Sequence, residues 1–211
     1  MTTQDPVDLA SLLATRLCHD LAGPIGAVNT GAELLEEELD DPDPETLELI
    51  ADSARKSAIR LKGLRLAFGS IAGKTIALSE GLSILKDSLE AVGKTLLVPG
   101  MPQTGALPVD TAGVRLVVNL GLAAADAWPR AATLGLTGER VPGPDPATVR
   151  FVVLADGAGP VPEAVQSALA QEGPAPDPRS VQFHWLGRLA EISRASLDCS
   201  KDRMALTLRT N

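Results

Sequence analysis

Apolar side chains recur along the first forty residues at Leu9, Leu13, Leu17, Leu21, Val28, Ala32 and Leu35, a spacing that places them on one face of a helix. The pattern predicts a long amphipathic helix from Asp8 to Leu39. Pro24 lies inside it and removes one backbone donor, so a kink is expected about one turn after His19. Asp40-Asp41-Pro42-Asp43-Pro44 then stops the helix. A second run, from Glu45 to about Ser70, carries Leu47, Ala51, Ala54, Ala58, Leu61, Leu64 and Phe68 at helical spacing, interleaved with Arg55, Lys56, Arg60, Lys62 and Arg65. Two long helices joined by a short polar turn form an antiparallel hairpin, and its apolar stripe is too wide to bury alone. A second copy, making a dimeric four-helix bundle, is the expected partner.

After Gly69-Ser70-Ile71-Ala72-Gly73 the periodicity shortens, which marks a domain boundary near residue 72. Residues 1–72 then form a helical-hairpin domain and 73–211 an α/β sandwich, an α+β chain overall. The second part reads as a strand near Lys74 to Leu78, a helix from Glu80 to Ala91 that Ser79 could cap, and a strand at Lys94 to Val98. A loop with Gly100, Pro102, Gly105 and Pro108 leads to a helix capped by Asp110 and running to about Ala127. Strands at Ala131 to Thr137 and Thr148 to Ala155 flank the turn Gly143-Pro144-Asp145-Pro146. Helices at about Pro162 to Gln171 and Ser180 to Ala195 follow, with a Pro-rich loop from Glu172 to Pro178 between them. Strands at Ser196 to Cys199 and Arg203 to Leu208 complete the order.

Composition narrows the class. With 45% hydrophobic residues in 211, the chain can build a real core, and that core must be aliphatic because only 2% of residues are aromatic. Nineteen Lys and Arg against 27 Asp and Glu leave a net charge of -8, which argues against a general nucleic-acid binder. Cys18 and Cys199 are the only cysteines and match neither a disulfide framework nor a zinc site. The N-terminal residues lack the basic and apolar regions of a secretion signal, and no apolar run approaches the roughly 20 residues that span a bilayer. A cytoplasmic protein away from membranes is expected.

One of only two histidines, His19, lies in Leu17-Cys18-His19-Asp20-Leu21-Ala22-Gly23-Pro24. Helical phase sets it nearly opposite the apolar face, toward solvent. Imidazole is a nucleophile that titrates near neutral pH, so His19 is a candidate phosphoacceptor. Asp20 is placed to orient the ring or serve as acid or base, and Arg16, one turn earlier, is a candidate phosphoryl contact. Ala22, Gly23 and Gly26 leave room for a docking partner. A lone helical histidine is otherwise often plain surface, and both charged neighbours could be solvated too. His184, beside Trp185, reads as a packed or capping residue.

The run from His19 to Val28 resembles the H-box of histidine-kinase dimerisation domains, and the chain as a whole resembles the ChpT-type histidine phosphotransferases of alphaproteobacterial two-component relays. The resemblance implies a dimeric helical hairpin followed by a domain like the kinase ATPase (Bergerat) fold. It also implies a histidine that shuttles phosphoryl groups between receiver aspartates. Partners would be the receiver domains of a hybrid histidine kinase and of response regulators, with Mg²⁺ held by the receiver and no cofactor bound by this chain. Where kinases carry Asn-Leu-x-x-Asn-Ala, the sequence Asn119-Leu120-Gly121-Leu122-Ala123-Ala124 has Ala123 for the second, magnesium-holding Asn. Where they carry Asp-x-Gly-x-Gly, Ala155 stands for the adenine-reading Asp and Asp156 is displaced by one. The run from Gln182 to Leu189 lacks the glycine-rich character expected near an ATP lid. ATP binding is therefore not expected. Gly23, four residues past the histidine, stands where phosphatase-active kinases often have Thr or Asn, so transfer should dominate hydrolysis. An atypical autophosphorylating kinase and a non-catalytic dimer that binds response regulators remain the alternatives.

Overall fold

Residues 6–37, 43–99, 107–142, 148–157, 159–172, 176–200 and 202–209 are described by a computed structural model of the chain. Helix α1 (Pro6–Glu37) and helix α2 (Pro44–Phe68) form the expected hairpin. Gly31 lies against Ile50 and the Asp20 carbonyl against Arg60, pairings that only an antiparallel arrangement produces. At Gly31 a Cβ would sit 2.5 Å from Ile50 Cγ1, so glycine permits the close crossing of the two helices. α1 continues unbroken through Pro24. α2 opens with Asp43 as its cap, the carboxylate accepting from the Glu45 N–H at 3.0 Å, and with Pro44 at the first helical position, where a missing N–H removes no bond. The stop segment 38–42 lies outside the described residues.

Helix α3 (Leu78–Glu90), strand β1 (Thr95–Leu97) and helix α4 (Thr111–Ala127) come next. They are followed by β2 (Thr133–Arg140), β3 (Thr148–Ala155), α5 (Glu163–Leu169), α6 (Val181–Ile192), β4 (Ser196–Ser200) and β5 (Arg203–Arg209). The strands form one sheet in the order β1-β2-β3-β5-β4, with β1 parallel to β2 and the other pairs antiparallel. Side chains alternate across it: Leu134, Leu136, Val149, Phe151, Val153, Met204, Leu206 and Leu208 are buried, and their intervening neighbours are mostly half-buried. Registered pairs such as Leu136 with Val153 and Phe151 with Leu206 put the apolar set on one face. That face packs on Leu85, Leu116, Leu120 and Leu186 of the helices, each worth roughly 1.5–3 kcal/mol on burial.

The irregular stretch from Ser70 to Ala77 corrects one expectation, since no strand forms at Lys74 to Leu78. There the Ile76 N–H donates to the Thr111 hydroxyl at 3.1 Å, and that hydroxyl donates to the Lys74 carbonyl at 3.2 Å, so the start of α4 takes the bonds a neighbouring strand would have taken. Ser79 is not a cap either: α3 begins at Leu78 with Ala77 in the cap position and no side-chain bond. Asp110 does cap α4, its carboxylate accepting from the Gly113 N–H at 2.8 Å. The segment 100–106, the turn from Gly143 to Pro146, Ala158 and residues 173–175 lie outside the described residues.

The end of α2 belongs to the same core as the sheet. Leu64, Leu66 and Ala67 are buried, and Leu66 packs within the cluster built by α4, α6 and the strands. The hairpin therefore has its last turn embedded in the second half of the chain.

Candidate functional site

His19 projects from α1 with 84% of its side chain exposed. Leu17 and Leu21 beside it are half-buried, so the helical phase that turns them inward carries His19 out. Ala22, Gly23 and Gly26 are also exposed, and a Cβ built on either glycine would meet nothing within 4 Å. The surface one turn past the imidazole is open.

Asp20 lies partly under the histidine, with its side chain only 18% exposed. One carboxylate oxygen, Oδ1, sits 3.4 Å from His19 Nδ1, and the other, Oδ2, accepts from Arg16 Nε at 2.8 Å. The 3.4 Å contact is longer than an ideal hydrogen bond, a looseness common in catalytic pairs before substrate binds. The backbone of Asp20 is tied as well, its carbonyl accepting from Arg60 Nη1 across the hairpin. Both expected neighbours of His19 are thus brought together, Asp20 directly and Arg16 through it.

Arg16 also reaches across to α4. Its Nη2 donates to Asp126 Oδ1 at 3.2 Å and Oδ2 at 2.9 Å. Burial works to lower the pKa of this guanidinium, but Asp126 and Asp20 outweigh that and hold it above its ordinary value. Burial raises the Asp126 carboxyl, with Arg16 pulling the other way. Lys94 secures the end of α4 nearby, its Nζ donating to the carbonyls of Trp128, Pro129 and Ala131 at 3.0, 3.0 and 2.6 Å.

Between the hairpin and the second half of the chain, directly below His19, opens a cleft of about 770 Å³. Leu64, Leu89 and Leu122 supply apolar wall, and Lys56, Arg60 and Lys94 supply positive charge. Among the described residues no group of His, Cys, Asp and Glu is placed to hold a metal ion. Cys18 is exposed beside His19, while Cys199 is half-buried on β4, where burial pushes its thiol up to about 11.

The segments that resemble kinase nucleotide boxes reach this cleft only at Leu122 and Gln182. Asn119 is fully buried: its amide donates to the carbonyls of Ala67 (3.1 Å) and Arg115 (2.9 Å), and its oxygen accepts from Gln182 at 3.1 Å. Arg115 Nε and Trp185 Nε1, each at 3.0 Å, converge on the same Ala67 carbonyl, an acceptor that the end of α2 would otherwise leave open. Arg115 also stacks over the Trp185 ring at 5.2 Å, with Phe68 on that ring. Ala123 is fully buried, Ala155 ends β3, and Asp156 is exposed while its N–H donates to the Thr133 carbonyl. His184 is 7% exposed inside α6, and burial holds its pKa below the ordinary value. The packed reading of that histidine stands.

Asp126 and Arg60 were not singled out by sequence. A signal existed for the first: Asp126 is the only charge between Leu116 and Trp128, and an acid in so apolar a helix implies a buried partner. For Arg60 there was none, since it is one of five cations spaced along α2.

Comparison with known proteins bears on both halves. A family model described as the histidine phosphotransferase C-terminal domain matches residues 103–204. Over 161 residues the chain is 35% identical to the protein phosphotransferase ChpT of Brucella abortus (strain 2308), covering 74% of this chain and 70% of that protein. It is also similar to a bacterial phosphotransferase solved at 1.7 Å, with a TM-score of 0.77, 28% identity and 98% of both chains covered.

Proposed function

Because the chain belongs to the ChpT family of histidine phosphotransferases, we propose that His19 takes a phosphoryl group from the phosphoaspartate of one receiver domain and passes it to the aspartate of another. The observation that carries this reading is the 84% exposure of His19 with Asp20 behind it and open surface beyond it. Nδ1 faces the Asp20 carboxylate, which leaves Nε2 directed at the incoming phosphorus. As the new N–P bond forms, the P–O bond to the donor aspartate breaks and that aspartate leaves as a carboxylate. The Nδ1 proton stays shared with Asp20, which balances positive charge gathering on the ring. Transfer onward reverses the same steps against a second receiver.

Chemistry of this kind needs little from the phosphotransferase beyond a nucleophile, alignment and a docking face. The receiver supplies the acidic pocket and its Mg²⁺. Ala22, Gly23 and Gly26 receive its docking helix, and the cleft beside them gives a second contact. With Arg16 engaged by two carboxylates, phosphoryl charge is met by the partner. Gly23 offers no group to orient water, so transfer outpaces hydrolysis.

Residues 1–72 act in this reading as the dimerisation and phosphotransfer domain, and 73–211 as an ATPase-like domain without nucleotide. Val7 and Ile25, in phase on α1, and Leu47 and Leu61, nearly in phase on α2, are exposed apolar side chains of the kind a second hairpin would cover. Ala123, fully buried where the resembled motif has its magnesium-holding Asn, offers no side-chain oxygen to a metal, which supports a chain that does not use ATP. No helix among the described residues is long and apolar enough to cross a membrane.

The test is to mix the chain with a receiver carrying labelled phosphoaspartate. Acid-labile label should move to the wild type and not to His19→Gln. Equal transfer to both proteins would overturn the assignment, and labelling from ATP alone would favour an autophosphorylating kinase.

A further inference from the structure

Arg16 stands between two carboxylates, one four residues away and one 110 residues away along the chain, and its geometry is specific. Nε meets Asp20 at 2.8 Å and Nη2 meets Asp126 at 2.9 Å. A guanidinium is a planar fork, so engaging both acids fixes the plane and thereby the direction in which the Asp20 carboxylate turns. With Oδ2 of Asp20 held by Arg16, Oδ1 is the atom left toward His19 Nδ1. We propose that Arg16 and Asp126 are positioning residues for phosphotransfer, aligning the Asp20 carboxylate on the His19 imidazole from the α4 side.

The assignment rests on the reading of His19 as the phosphoacceptor, and it gives the second half of the chain a part in the chemistry that its altered nucleotide boxes do not. Asp126 is well suited to this part. A carboxylate in an apolar helix is unfavourable unless paired, so its bond to Arg16 is held firmly, and Lys94 clamps the end of α4 that carries it. A lysine at position 16 would supply one compact charge without the fork, reaching either acid but not orienting both.

Single-turnover transfer from a phosphorylated receiver tests this in Arg16→Met, Arg16→Lys, Asp126→Asn and the charge exchange Arg16→Asp with Asp126→Arg. The ring-nitrogen NMR shifts of His19 report its tautomer in each protein. Arg16→Met and Asp126→Asn should each lower the maximal transfer rate about tenfold, part of the ~10²–10⁴-fold that acid–base groups contribute, with the half-saturating receiver concentration unchanged. Both should also reduce the Nδ1–H tautomer, and Arg16→Lys should recover only part of the rate. The charge exchange restores a bridge between helices but sets a carboxylate beside Asp20, so it should remain slow. A wild-type rate in Arg16→Met, or full recovery in the exchange, would overturn the positioning role and leave the phosphoacceptor reading standing. A wild type that takes no label would overturn both. If Arg16→Met loses its helical circular dichroism, the isosteric Asp126→Asn decides: a slow rate with a wild-type melting curve supports the role, and a wild-type rate refutes it.

Discussion

His19 on α1 and Asn119 on α4 are both polar side chains in segments that resemble kinase motifs, yet their surroundings differ in kind. His19 is 84% exposed, with one long contact and open space beside it. Asn119 is fully buried, and three hydrogen bonds hold its amide. The first arrangement leaves a nucleophile's valence unused and accessible; the second makes Asn119 a brace between the end of α2 and the α4–α6 face. Motif resemblance alone would treat the two alike. Whether a group's hydrogen-bonding capacity is already filled within the fold is what separates a site from a scaffold.

Substitution at the two positions should therefore damage different properties. His19→Gln should abolish phosphotransfer outright while leaving the melting temperature unchanged, because the side chain it replaces makes almost no packing contact. A fall of several degrees in that variant would show that His19 is structural. Asn119→Ala should do the reverse, costing about 2–3 kcal/mol by stranding Gln182 and leaving a cavity, which is roughly 5–10 °C in Tm for a chain of this size. Its transfer rate, measured well below that Tm, should stay near wild type. A stable, inactive Asn119→Ala would put the chemistry at the wrong end of the molecule.

A subtler probe uses the open surface. Gly23→Leu adds bulk where nothing is nearby, so folding should be unaffected, while the receiver concentration needed for half-maximal transfer should rise by roughly tenfold if a partner helix docks there. Unchanged kinetics would move the docking face away from Gly23. The smallest effect concerns the buried histidine. Since burial lowers the folded-state pKa of His184 below the unfolded value near 6.5, the unfolded chain binds the extra proton first, and stability should fall as pH drops below about 6.5. Urea midpoints across pH 5 to 8 should show a shallower acid-side decline in His184→Leu than in wild type.

Much of this architecture was legible in the pattern of the chain. The hairpin, the Asp110 cap, the strand from Thr148 to Ala155 and the outward phase of His19 depend on spacing within a few residues, and short-range periodicity reports such features directly. The expected strand at Lys74 to Leu78 failed for a related reason. Ile76 and Leu78 alternate like strand residues, but Leu78 opens α3 and the backbone before it bonds to Thr111, a partner 35 residues from Ile76. A local pattern carries no information about so distant an acceptor. Arg16 is the same case at larger scale, because the carboxylate that engages its Nη2 lies 110 residues away.

The sequence by itself determined the two long helices, most of the element order of the second half, the solvent-facing histidine with an acid beside it, and the departures from the kinase motifs it resembles. All of these follow from residue type and near-neighbour spacing, which backbone geometry converts into faces. Only the tertiary structure decided what Arg16, Asp126 and Asn119 do. Whether a charge meets a phosphoryl group or a second carboxylate, and whether an amide meets solvent or the carbonyl of Ala67, depends on which distant segment packs against it. That choice is made by the burial of the apolar faces, and the polar groups take the partners that burial brings them.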